Sequence, residues 1–558
     1  MNAAITINRT DVDGVPTFWV DTGRPTLSAT LVFRAGLMDE PPARSGWLHL
    51  LEHVVMTGPE QHGLAVNGSV DLAFTTFDAE GDPAEVCAHL RRITDRLSAV
   101  PEIDLDHERQ ILAAEEREHG PATLDLGLVW RFGSQGPARA VFQGLGLGAA
   151  DLAGLRELSQ RLLTRGNAAL ILSGPPPAGL SLTLADGPAW PRTELPPMLN
   201  ATGCYVHPFD GLLLHGMVTR TAAGQVTTML MGHRLRESLR HRDGMAYSPG
   251  TDYLPVSPTR SILVASVDVE FDETQRASAT MLSSINDLLL TGPSTEDLRR
   301  IVAERERDAV DPYAAFDWAA LAARRHLEGL GETGPDQVVD EVRAVQPADV
   351  MATVGEFIAT SMLGVPDPAV RPAIPLPPLD DPVDPTPAAP TSTHRAVIPL
   401  PGSPVIRTID GGLHVAGKGV GMLFRFADVV ACQATPNGTR RLIRGDGTST
   451  EVATDAFHQG DQLRRHIDAG LDPSVVVPVP DPQGEEPVPT RGELGKDVLS
   501  ALLWIALTVA VVGGLILQRL RPDLISIGTL GVIVAVVALA LAVDGIRTWL
   551  RRRARTQR

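Results

Sequence analysis

Hydrophobic and polar positions alternate along 15–20 and 26–34, where β-branched and aromatic residues are also concentrated and Gly23 and Pro25 mark the turn between the two runs. Period-two alternation of this kind predicts two strands. Residues 46–58 then change to a helical period. A strand is predicted over 70–79 and a helix from Asp82 to about Val100, with Asp82 as N-cap and Pro83 in the first turn. Another helix follows over 104–119, and a further helix and strand over 151–173. After a proline-rich stretch at 174–198 the order is repeated: a strand at 212–219, a helix through Arg240, strands at 246–254 and 260–270, and several helices from 273 to 360. Two consecutive blocks with a similar order of elements point to duplication.

The remainder of the chain is patterned differently. Residues 365–404 are dense in proline and predict an extended spacer without a core. Short strands are predicted at 405–409, 412–417, 421–426, 428–433, 440–444 and 449–454, with a helix at 460–469 and a second proline-rich link at 473–490. Finally, 498–517 and 524–543 contain no charged residue, and each matches the ~20 residues that cross a bilayer core. Only six residues separate these runs, so they predict a two-helix transmembrane hairpin.

Charge sets the expected topology. The tail after the second run carries Arg547, Arg551, Arg552, Arg553, Arg555 and Arg558, whereas the hairpin turn carries Arg519 and Arg521. The positive-inside rule puts the tail in the cytoplasm, and two spans return the chain to its starting side. No signal peptide is visible, so a multi-pass cell-membrane protein with both termini and all preceding domains cytoplasmic is expected. The net charge of −18 over 558 residues argues against nucleic acid as a partner. Cys87, Cys204 and Cys432 fall in three separate segments, which excludes a disulfide framework and a cysteine metal site.

Candidate chemistry concentrates in the helix over 46–58. His49 and His53 are four residues apart, so one helix face can aim both imidazoles at a single point. Glu52 borders that point without having to occupy it. Two imidazoles with a nearby carboxylate suit Zn2+ and a water that the carboxylate can deprotonate. An amphipathic core helix with hydrogen-bonded histidines is the plain alternative. A third ligand must come from elsewhere. In the helix over 104–119, Glu108 and Glu115 are seven apart and share a face; Glu115 leads as the ligand, with Glu116 or Glu118 as alternatives. In the second block, 239–247 is a basic–aromatic stretch containing Arg240, Gly244 and Tyr247, which also reads as an ordinary capped helix end.

Three stretches together resemble the insulinase/pitrilysin-type zinc metallopeptidases (inverzincins), in particular their bacterial, processing-peptidase-like branch. They are Phe33 to Gly58 with His49, Glu52 and His53; Glu108 to Glu115; and Leu239 to Tyr247. The resemblance covers about residues 15–365. It implies an α+β fold in which two sequential modules of helices on antiparallel sheets form a half-shell. Residues 1–198 would be the catalytic module and 199–365 a second, peptidase-like module. His49, His53 and Glu115 would hold zinc, Glu52 would act as general base, and Glu108 would orient a ligand. Arg240 and Tyr247 would reach the site of a second half-shell, so a homodimer or a paired subunit is implied. Two departures stand out: His53 and Glu115 are unusually close in sequence, and the segment around Val66, Asn67, Gly68 and Ser69 differs from the family's edge strand.

The expected organisation continues with a linker at 366–404 and a small β domain at 405–472 that resembles pleckstrin-homology-like domains of bacterial membrane proteins. A plain β-barrel or roll is its alternative. A linker at 473–497, the two spans and a basic tail at 544–558 complete the chain. The resulting expectation is a membrane-anchored zinc endopeptidase acting on peptides or unfolded polypeptide. A non-catalytic assembly subunit or membrane scaffold of the same fold is the rival.

Overall fold

A computed structural model describes residues 5–58, 63–119, 123–245, 249–370, 376–379, 383–399, 402–417 and 420–479. The two apolar runs and the basic tail lie outside these residues, and so does Tyr247. No helix among the described residues is long and apolar enough to cross a membrane.

The first module contains, in order, β1 (Asn8–Val12), β2 (Val15–Trp19), β3 (Leu27–Phe33), α1 (Trp47–Met56), β4 (Ala65–Val70), β5 (Thr75–Gly81), α2 (Pro83–Ser98), α3 (Leu105–His119), α4 (Thr123–Phe132), α5 (Leu152–Leu162) and β6 (Ala168–Leu172). Its six strands are ordered β1-β2-β6-β3-β5-β4. Every pairing is antiparallel except that of β2 with β6. β4, which the sequence pattern does not reveal because it is polar and exposed, forms one edge.

The second module contains β7 (Gly203–Val206), β8 (Leu212–Thr219), α6 (Ala222–Leu235), β9 (Gly250–Pro255), β10 (Arg260–Val267), α7 (Thr274–Thr291), α8 (Thr295–Asp308), α9 (Ala315–Leu327), α10 (Pro335–Ala344), α11 (Pro347–Ala359) and β11 (Met362–Val365). Its five strands are ordered β7-β11-β8-β10-β9.

The pleat explains how these sheets are covered. On β3, Leu31 and Phe33 face the core under α1, α2 and α5, while Val32 faces the other way. That second face is covered by α9 of the second module, whose Ala315, Ala319, Ala322 and Ala323 let it lie close on Phe18, Val20, Ala169 and Ile171. The exchange is reciprocal. Leu128 and Phe132 of α4 cover Leu213, Met217, Ile262 and Val264 on the second sheet. Strands buried on both faces read as continuous apolar runs, as β6 and β8 do.

The small β domain is larger than its sequence pattern implies. β12 (Ser392–Arg395), β13 (Val405–Ile409), β14 (Gly412–Gly417) and β15 (Val420–Arg425) make one sheet. β16 (Val429–Ala434), β17 (Thr439–Arg444), β18 (Ser449–Ala453) and, after α12 (Gly460–Gly470), β19 (Val476–Pro478) make a second, ordered β18-β17-β16-β19. Leu463 and Ile467 of α12 close a core with Leu413, Phe424, Leu442 and Val452. Two of these strands lie in stretches expected to be linkers. β12 lies inside the expected 366–404 spacer, and β19 inside the expected 473–497 link. Four residues among prolines carry too little pattern to show a strand. Nor is the spacer free of the fold, since Pro378 bridges to Cys204 and the Asp384 carboxylate accepts from the Leu423 amide at 2.7 Å.

His89 on α2 is wholly buried, and its Nδ1 accepts from the Arg92 guanidinium at 2.9 Å. Burial, and then Arg92, pull its pKa down to about 4. The unfolded chain takes up this proton near 6.5, so the stability His89 confers is complete above that pH and declines as pH falls towards 4. The loss amounts to about 3 kcal/mol at most. Denaturant unfolding at pH 7 and pH 5 should show a smaller drop for His89→Gln than for the native chain.

Candidate metal centre

The site is built on α1, and α1 is held at both ends. Gly46 starts the helix at φ 93°, and a Cβ there would meet the Gly144 backbone at 3.0 Å. Glycine offers no capping oxygen, so the buried Glu40 supplies one from outside. Its carboxylate accepts from the Gly46 amide at 2.9 Å and the Leu48 amide at 2.6 Å. Burial pushes the Glu40 carboxyl up to about 7, while these two bonds and Arg139 pull the other way. At the far end, Arg96 of α2 donates to the Val55 carbonyl at 2.9 Å and also to the Thr57 carbonyl, which suits a cation at a helix C-terminus. Leu48, Leu51 and Val55 anchor the buried side of α1.

On its other side, His49, Glu52 and His53 face α3. The imidazole centroids are 5.0 Å apart at 80°. From α3, the Glu115 carboxylate lies 3.8 Å from His49 Nε2 and 3.7 Å from His53 Nε2. One ligand atom from each of the three residues falls within 4.8 Å of the others. Tetrahedral bonds of about 2.0–2.1 Å place ligand atoms roughly 3.3–3.5 Å apart, so a small contraction brings this set onto zinc. Two nitrogens and one carboxylate oxygen are also the donor chemistry of a catalytic zinc site. The residues fit the ion.

The remaining groups have separate places. Glu52, 6 % exposed, has its carboxylate 3.9 Å from His49 Nε2 and 3.8 Å from His53 Nε2. Burial first, then Glu115 and Glu108, push its pKa up to about 7. Burial, then His53, pull His49 down to about 4, which keeps that imidazole neutral. The buried Glu108 lies 3.4 Å from His53 Nδ1 and accepts from the Thr57 hydroxyl at 3.2 Å. A carboxylate only accepts, so Nδ1 carries the proton and the Nε2 lone pair is left facing Glu115.

Five of the seven candidates named from the sequence thus meet in the first module: His49, Glu52, His53, Glu108 and Glu115. Arg240 does not join them among the described contacts. It is exposed on a π-helical turn, Arg236–Arg242, that follows α6 in the second module. Tyr247 is outside the described residues. Sequence reasoning gave no role to Glu40, Arg96, Thr57 or Gly68. An acidic residue shortly before a helix opened by glycine was the available sign for Glu40; the others act through tertiary contacts.

No protein-family model matches the chain, and no curated protein matches it. Solved structures do. A protease from Helicobacter pylori superposes with TM-score 0.54 at 13% identity, over 65% of this chain and 99% of that one. The peptidase M16 inactive domain from Pseudomonas fluorescens gives 0.54 at 15% identity, over 64% and 97%. The fold is that of the M16 peptidases. Pitrilysin, an M16 peptidase, gives 0.51 at 15% identity over 64% of this chain, which spans 44% of pitrilysin. Identities this low speak to the M16 fold alone, and the inactive domain shows that the fold does not guarantee catalysis.

β4 passes directly beside the candidate base. A Cβ on Gly68 would lie 1.9 Å from Glu52 Oε1. Gly68→Ala is expected to displace that carboxylate and lower peptide hydrolysis about 10–100-fold while bound zinc per chain is retained. Metal analysis alongside a hydrolysis assay measures both; undiminished turnover would show that the contact is irrelevant.

Proposed function

We propose that this chain is a membrane-tethered zinc metalloendopeptidase that hydrolyses peptides or unfolded polypeptide segments. The observation that carries this reading is the approach of His49, His53 and Glu115 to within 4.8 Å from two separate helices, with the Glu52 carboxylate alongside. His49 Nε2, His53 Nε2 and a Glu115 oxygen would hold the ion. When bound, zinc makes a water acidic near neutral pH and polarises a substrate carbonyl.

The chain's own residues supply the rest. Glu52, with its carboxyl pushed up towards neutrality, takes the proton of the attacking water and passes it to the leaving amine. Glu108 keeps His53 in the tautomer that presents Nε2. Among the described residues β4 is the end strand of its sheet and lies beside Glu52, a place suited to an extended substrate that adds as a further strand. Backbone pairing of this kind confers little sequence preference. Arg240 and Tyr247 of the second module reach the zinc site of a second half-shell in this reading, so the active unit is a homodimer or a pair with a related subunit. There they grip the substrate backbone and donate to the developing oxyanion. The apolar runs at 498–517 and 524–543 tether the enzyme to the cell membrane with both termini cytoplasmic.

A non-catalytic subunit is the second reading, favoured by the existence of the inactive M16 domain with the same fold. Zinc content separates the two, because an assembly subunit has no need of the ion.

Glu52→Gln is expected to bind one zinc per chain and to lower hydrolysis of an unstructured fluorogenic peptide by about 10²–10⁴-fold. Native turnover in that variant would exclude the mechanism.

A further inference from the structure

The second sheet of the small β domain carries buried apolar residues on both faces. Cys432, Leu442 and Val452 fill the domain's own core, whereas Ala431, Ile443 and Val477 pack outward against Ala43, Phe142 and Leu145 of the first module. The segment 133–150 receives this contact. The Gly445 carbonyl accepts from the Ser134 amide at 3.0 Å and from the Ser134 hydroxyl at 3.2 Å, and Gln433 Nε2 donates to the Leu145 carbonyl at 3.3 Å. The surfaces meet at glycines. A Cβ on Gly133 would lie 2.3 Å from the Gly445 carbonyl oxygen, and one on Gly148 would lie 1.7 Å from that of Pro478.

The same segment supports both helices of the metal centre. Towards α1, Trp47 Nε1 donates to the Gly146 carbonyl and the Gly146 amide to the Ser45 carbonyl, both at 2.9 Å. Arg139 Nε donates to the Ser134 carbonyl at 3.0 Å, and its guanidinium stands close enough to Glu40, the cap of α1, for each charge to stabilise the other. Towards α3, Arg109 donates to the Leu147 carbonyl at 3.0 Å and to the Ala150 carbonyl. Arg109 is the neighbour of Glu108. Ordinary domain packing would spread its contacts over any available surface. Here they fall mainly on segment 133–150, with Ala43 beside it, and that segment touches both ligand-bearing helices.

We propose that the small β domain is a positioning element of the metal centre: it clamps segment 133–150 and thereby fixes α1 against α3. It is not a detachable module between the peptidase and the bilayer. Displacing the domain loosens the donor set, and by linkage metal binding strengthens the docking of the domain. The functional half of this statement rests on the zinc reading; the mechanical half does not.

Ile443→Asp in the full-length chain tests it, because Ile443 lies in the interface cluster and not in the domain's own core. Zinc affinity is measured by competition with a chromophoric chelator and amide hydrogen exchange by mass spectrometry. The expected result is a five- to 150-fold weaker zinc affinity, in the usual range of inter-site coupling. Faster exchange is expected at Gly46, Leu48 and 133–150, with β13–β15 unchanged. Should Ile443→Asp fail to fold, Ile443→Ala is expected to change both readouts in the same direction by a smaller factor. Faster exchange at 133–150 with native zinc affinity and native protection of Gly46 and Leu48 would overturn the proposal. Should the native chain take up no zinc, the peptidase reading fails by itself. The Gly46 and Leu48 amides then decide the clamp alone, and unchanged protection there overturns it.

Discussion

Everything in this account depends on the fixed attitude of α1 towards α3. His49 and His53 are placed by helical spacing, but their partner Glu115 arrives from a helix separated from α1 by two strands and α2. Atoms that must lie within a few tenths of an ångström of a coordination geometry tolerate little sliding between the helices. The chain meets this demand with restraints at each end of α1. The Glu40 carboxylate and the Trp47 indole hold the start, Arg96 holds the finish, and Leu112 of α3 is buried in the same core as Leu48 and Leu51.

The exchange of α4 and α9 between modules extends this restraint. Each sheet has its second face covered by a helix from the other half of the chain, so the modules share cores instead of meeting at a polar boundary. Packed cores respond to strain by discrete rearrangement and not by gradual deformation. A site resting on such a frame keeps its geometry, while β4, the exposed end strand among the described residues, lies outside the shared cores. The acidic cluster is costly in the absence of a cation. Glu52 and Glu108 are buried beside Glu115, and burial first, then the charges of Glu115 and Glu108, push the Glu52 carboxyl up. A divalent ion would relieve that repulsion.

The sequence made much of this legible, for identifiable reasons. Strands at 405–409 and 412–417 match β13 and β14 because Gly411 and its neighbours punctuate clean alternation. The His49–His53 pair and the Glu108–Glu115 pair were readable because helical periodicity is a local property. β4 shows no strand pattern of its own, and only the family resemblance marks an edge strand there, because Asn67, Gly68 and Ser69 are poor strand formers held in place by pairing with β5. β12 and β19 were missed because a short strand at the margin of a sheet owes its existence to its partner. The outward face of β17 did leave a sign: Leu442 and Ile443 are adjacent apolar residues, which in a strand means burial on both faces. The roles assigned to Arg240 and Tyr247 depend on a second half-shell, which no pattern within one chain can supply.

The most direct test of the central claim is X-ray absorption at the zinc edge on the purified full-length protein. One zinc per chain is predicted, bound by about four nitrogen and oxygen ligands near 2.0–2.1 Å with the outer-shell scattering of two imidazoles. That signature should disappear in His49→Ala. Absence of stoichiometric metal, or an ion without imidazole scattering, would contradict the account.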